Sequence, residues 1–246
     1  MHQKTAFILI LSLGLIAVAA DKNADREQGY SVAQSLAIHQ VPNGVEGELQ
    51  VLVDKRLTGS VWEKLWGNGD WSFVFPPDSD VHKEFSAHPP LKSRLCIKDR
   101  AGKMVAERHL ETALAKLESW NVASEANQLF LLTEDYTAGA GSYNGLGTTL
   151  LMVSDSSLQD VKALNTASHE EEPIRLVKSL KSDWRITSRN SGGEILSFAC
   201  HPKSDGNFVI DYVRYSSDGT RWLEHKRESD GFWESDQPFP ERSAFP

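Results

Sequence analysis

The chain closes with three copies of one tripeptide: Ser204-Asp205-Gly206, Ser217-Asp218-Gly219 and Ser229-Asp230-Gly231. Asp-Gly between β-rich runs is a hairpin signal. Glycine reaches positive φ without steric cost, and aspartate bonds its own backbone two residues on. The intervening runs, Phe208 to Tyr215 and Thr220 to His225, are strand-like, and Glu194 to Cys200 precedes them. This spacing predicts an antiparallel meander of about four strands. A calcium reading of the aspartates fails on geometry. Successive meander turns lie at opposite ends of the sheet, roughly 17–20 Å apart, whereas calcium gathers its oxygens around one point.

Upstream, Gly47 to Val53 alternates as a strand, with Leu49, Val51 and Val53 on one face. Trp71-Ser72-Phe73-Val74-Phe75 reads as another strand closed by Pro76-Pro77, and Leu95–Lys98 and Met104–Ala106 as a hairpin. Gln128 to Leu132, Thr148 to Val153 and Trp184 to Thr187 are further strands. Residues 78–90 and 154–167 read as polar connections. Val61, Leu65 and Trp66 suggest a helical turn stopped by Gly67-Asn68-Gly69, and Ser31 to Ile38 a short helix. Leu110, Ala113, Leu114, Leu117 and Trp120 recur at helical spacing, which predicts an amphipathic helix. Glu170 to Pro173 followed by Ile174, Leu176, Val177 and Leu180 predicts a second, short one, with acids at its start and lysines at its end. The fold class is α+β, mainly β: antiparallel sheets and a meander with one or two packed short helices.

Met1 to Ala20 has a basic start at Lys4, an apolar core from Ala6 to Ile16 and small residues before Asp21. That order predicts a secretory signal peptide, with cleavage after Ala19 or Ala20. The expected organisation is a signal peptide over 1–20, a flexible segment over 21–43, a β-rich region with one helix over 44–165, and a short helix plus meander over 166–246. The last two are expected either to share one core or to form two lobes. No later stretch is long and apolar enough to span a membrane as a helix. The product is therefore expected to be soluble and exported, periplasmic or extracellular. There oxidising conditions favour pairing of Cys96 with Cys200, the alternative being two buried thiols.

The formal net charge is −8 and no basic stripe is present, which argues against nucleic acid as a partner. No cofactor motif occurs, and the histidines lack zinc-ligating spacing, so no metal or cofactor is assigned. His82 and His88 share one loop with Asp78, Asp80 and Glu84, where a solvated loop is the simpler reading. The segment from Thr137 to Gly147 is the most unusual. It is rich in glycine but lacks the lysine and hydroxyl of a phosphate-binding loop. A long hairpin explains it; a binding loop would use Tyr143 as a stacking face and Asn144 as an amide. The C-terminal aromatics pack a core or, if exposed, bind sugar, with Trp222 and Trp233 deciding between the two. The functional expectation is a non-catalytic binding module for a partner protein or glycan. The alternatives are a hydrolase with a dispersed site drawing on Glu134, Asp135 and a histidine, and a structural envelope-associated protein.

Overall fold

A computed structural model describes residues 29–38, 46–120, 128–139, 141–154, 157–188 and 193–246. The expected signal peptide and most of segment 21–43 lie outside them. Strands dominate, arranged in three sheets. The first sheet has the order β1 (Tyr30–Ile38), β2 (Gly47–Asp54), β3 (Arg94–Asp99), β4 (Met104–His109). Three short helices sit between β2 and β3: α1 (Ser60–Leu65), α2 (Trp71–Val74) and α3 (Asp80–Ala87). The central sheet contains β5 (Ala115–Trp120), β6 (Leu129–Asp135), β7 (Leu146–Ser154) and β8 (Ser157–Asp160). The third sheet begins with β9 (Lys162–Asn165) and β10 (Glu171–Pro173). After it, β11 (Arg175–Lys178) returns to the central sheet against β7. The meander β12 (Ser182–Ser188), β13 (Glu194–Pro202), β14 (Phe208–Ser217) and β15 (Trp222–Asp230) completes the third sheet, and β15 runs parallel to β9.

The central sheet is covered on both faces. Side chains alternate along β6, so Phe130 and Leu132 pack with Leu49, Val51, Leu95 and Ile97 of the first sheet. Leu129 and Leu131 pack on the opposite face with Ile195, Tyr215 and Trp222 of the third sheet. This double burial explains the unbroken apolar run in β6. The outer face of the third sheet carries Leu196, Phe198 and Ile210, and the C-terminal segment covers it with Trp233 and Phe245.

The edges of the first two sheets are tied together. Gln34 of β1 accepts from the Leu117 amide of β5 at 2.9 Å and donates back to the Leu117 carbonyl. Its side chain thus imitates a β-bridge at an exposed strand edge. On the other side Arg108 of β4 meets Asp160 of β8 at 2.6 Å and the Leu158 carbonyl at 3.0 Å.

Several expectations are corrected. Leu110 to Trp120 is not a helix: an irregular stretch leads into β5. Its apolar residues divide among three clusters: Leu110 and Leu117 toward the first sheet, Ala113 and Leu114 toward the short helices, and Trp120 toward the third sheet. The helical spacing comes from superposing these separate burials. The expected helix after Glu170 is β10 and β11, and the one over Ser31 to Ile38 is β1; in both, pairing with a neighbour overrides local preference. Conversely, Trp71–Val74 is helical because Asp70 caps it, its carboxylate accepting from Ser72 N at 2.8 Å. Residues 78–90 contain α3, capped by Ser79 accepting from His82 N at 3.2 Å. The stretch 154–167 contains β8 and β9 rather than a plain connection.

The expected disulfide is absent. Cys96 lies in the first sheet and Cys200 in the third, both buried and not joined to each other. Two stacked sheet spacings of about 10 Å each separate them, well beyond disulfide reach. Between the regions 44–165 and 166–246, β11 pairs with β7 and β9 pairs with β15.

The Asp-Gly triplets behave as turn chemistry. Asp218 accepts from Thr220 Oγ1 and from the amides of Thr220 and Arg221, which hold its carboxyl down at about 2. Asp205 accepts from Asn207 N at 3.0 Å. The third triplet is not a hairpin: Asp230 ends β15, and Gly231 at φ 158° leads into the C-terminal segment.

Candidate functional site

The helices between β2 and β3 do not join a sheet. They form a small core of their own, in which Leu57, Leu65, Phe75, Phe85 and Leu114 are buried. Where this unit meets the base of the glycine-rich loop it leaves a cleft of about 300 Å³. Leu57, Leu65, Trp71 and Leu114 form much of its apolar wall, and Pro89 and Pro90 another side. Thr112, Ala113, Asp135, Tyr136, Ala138 and Gly139 come from the central sheet and its approaches, Gly69 and Asp70 from the turn before α2. The volume is at the small end of ligand pockets, which run from about 300 to 1,000 Å³.

Each wall is held by a polar group. Asp54 is 1% exposed. It accepts from Arg56 N and Nε and from the Leu91 amide at 3.0 Å, while Arg56 Nη1 donates to the His88 carbonyl at 2.8 Å. This pair fixes the Pro89-Pro90 wall. Burial pushes the Asp54 carboxyl up, but the Arg56 side chain and the Arg56 and Leu91 amides outweigh it and leave it below the usual range. Asp135 binds the helical unit to the loop. One oxygen accepts from Gly67 N at 2.7 Å, the other from Thr137 N at 2.9 Å. Gly69 N donates to Thr137 Oγ1 at 3.1 Å. Glu134 accepts from Glu111 N at 2.7 Å and Thr112 N at 3.3 Å, placing the third wall. Burial, with Glu134 nearby, pushes the Tyr136 hydroxyl up to about 12, so it stays protonated at neutral pH.

The residues expected to bind fall in different places. The base of the glycine-rich loop does line the cleft, but Tyr143 and Asn144 do not. Tyr143 is 47% exposed. Asn144 folds back on Gly139: a Cβ there would lie 2.6 Å from Asn144 Nδ2. Trp222 and Trp233 are both core residues and offer no stacking platform. Trp222 packs on Trp120 with centroids 5.6 Å apart. Trp233 meets Phe198 edge-on at 4.6 Å and donates its indole N–H to the Pro238 carbonyl at 3.1 Å. Glu134 and Asp135 are occupied by backbone amides, and among the described residues no histidine lines the cleft. His82 Nδ1 contacts the Phe75 carbonyl at 3.0 Å. Among the described residues no three His, Cys, Asp or Glu side chains gather around one point, and no helix is long and apolar enough to cross a membrane.

Trp71 and the Pro89-Pro90 wall escaped the sequence reading. One signal pointed toward them: the aromatic density of Trp62, Trp66, Trp71, Phe73 and Phe75 around Gly67-Asn68-Gly69. Gly145 at the loop's far end is also constrained, since a Cβ there would lie 2.0 Å from the Lys178 carbonyl oxygen. Gly145→Ala is therefore expected to destabilise by about 1–3 kcal/mol through forced backbone shifts. Chemical denaturation of the variant measures this, and an unchanged midpoint would contradict it.

Compared with known proteins, the chain matches no family model and is significantly similar to no curated protein and no solved structure.

Proposed function

We propose that the protein is an exported, non-catalytic binding module that takes an apolar side chain of a partner protein into the cleft beside the glycine-rich loop. The carrying observation is the cleft itself: about 300 Å³ with largely apolar walls, each wall anchored by a buried or partly buried carboxylate. A pre-formed apolar concavity with few polar groups is what small binding sites share. Export rests on the order of residues in Met1 to Ala20. A partner protein is favoured over a glycan because the two tryptophans that could have stacked sugars are buried.

Ala138 is exposed at the rim of the cleft, so Ala138→Trp fills it without touching the core. Peptides selected on the protein from a displayed random library are expected to share an apolar anchor and to lose at least tenfold in affinity for Ala138→Trp, about 1.4 kcal/mol. Selected peptides that bind this variant unchanged would place recognition elsewhere. Glycan-array binding that Ala138→Trp abolishes would replace the protein partner with a sugar.

A further inference from the structure

Resting on that reading, we propose that the cleft's occupant is a protein segment presenting an apolar ring flanked by lysine or arginine. Among the described residues the lining carries two carboxylates, Asp70 and Asp135, and no lysine, arginine or histidine. Asp135 accepts from neutral donors, Gly67 N, Thr137 N and Thr137 Oγ1, which orient its charge without cancelling it. Asp70 spends one oxygen on the Ser72 amide. A cleft lined by one sign of charge concentrates the opposite sign at its mouth.

Phe73 is 88% exposed on the same short helix as Trp71 but does not line the cleft. A second copy of this chain is a poor occupant. It carries a net charge of −8, and its exposed Phe73 ring lies between Asp70 and Asp78 in sequence. Like charges brought together at an interface are unfavourable, whereas opposite charges raise on-rate and specificity.

The test titrates the isotope-labelled chain with three acetylated, amidated tripeptides, Lys-Phe-Lys, Ser-Phe-Ser and Glu-Phe-Glu. Amide shifts of Gly69, Ala138 and Gly139 are the readout. Lys-Phe-Lys is expected to bind roughly fivefold more tightly than Ser-Phe-Ser at low salt, as weak exposed ion pairs allow. The gap should close near 1 M salt, where the Debye length is about 3 Å. Asp70→Asn keeps a competent helix cap and is expected to narrow the gap between Lys-Phe-Lys and Ser-Phe-Ser to about twofold. Equal affinity for all three peptides, or preference for Glu-Phe-Glu, overturns the charge inference and leaves the cleft as a site. Shifts with none of them overturn the cleft itself.

Discussion

Phe130→Ala is expected to lower the free energy of unfolding by about 3–5 kcal/mol, the range for emptying a large aromatic site in a packed core. Phe130 is fully buried in β6 of the central sheet, against Leu117, Leu132 and the inner face of the first sheet. Neighbouring strands fix the backbone on both sides through β5 and β7 pairing, so the site cannot collapse cheaply. Domains of this size are stable by only about 5–15 kcal/mol, so the loss is a large share of the total. Urea denaturation followed by tryptophan fluorescence measures it, and the slope reports whether the transition stays cooperative. A loss below about 1 kcal/mol would show that the first and central sheets are not packed as described.

Asp54→Ala is expected to cost a similar amount, about 3–5 kcal/mol, because it removes the closer of Arg56's two carboxylates and strands two backbone amides. Arg56 would keep only Glu84 at 3.7 Å, and its own amide and that of Leu91 would lose their acceptor. The loss is local in its second effect. Pro89 and Pro90 line the cleft, and the Arg56 side chain that holds the carbonyls of His88 and Pro89 is itself oriented by Asp54. Faster proteolysis between His88 and Leu91 is therefore expected together with weaker peptide binding. The pH dependence has a definite sign. The folded carboxyl lies below its unfolded value, so its stabilisation is complete above about pH 4 and is lost as pH falls through the folded pKa. Asp54→Ala should flatten that part of the acid-denaturation curve. An Asp54→Ala protein with wild-type stability and an unchanged acid limb would refute the role.

Much of the β framework was legible because turn residues and period-two patterns are local. The hairpins from β13 to β15 were readable from two Asp-Gly turns, and β2, β3, β6 and β7 from their apolar runs. Leu110 to Trp120 imitates a helix because its apolar residues serve three separate clusters rather than one buried face. In β1, β10 and β11 pairing with neighbouring strands overrides local preference. The short helices failed in the opposite direction. Trp71–Val74 looks like a strand until the cap from Asp70 is recognised, and α3 was hidden in a polar stretch with a serine cap. The site was less legible still, since its walls come from three stretches far apart in the chain. Trp222 and Trp233 belong to the core rather than to a sugar platform, because the third sheet has two faces to cover.

The sequence alone determined the turns, most of the strands and the acidic balance, since each depends on neighbouring residues or on simple counting. It could not determine which strands stack on which. The tertiary structure decided that the central sheet is shared, that Cys96 and Cys200 are kept apart, and that Trp222 and Trp233 are buried. It also placed Trp71, Pro89, Asp135 and Ala138 around one cleft. Such relations depend on contacts between residues distant in sequence, where packing and charge burial outweigh local preference.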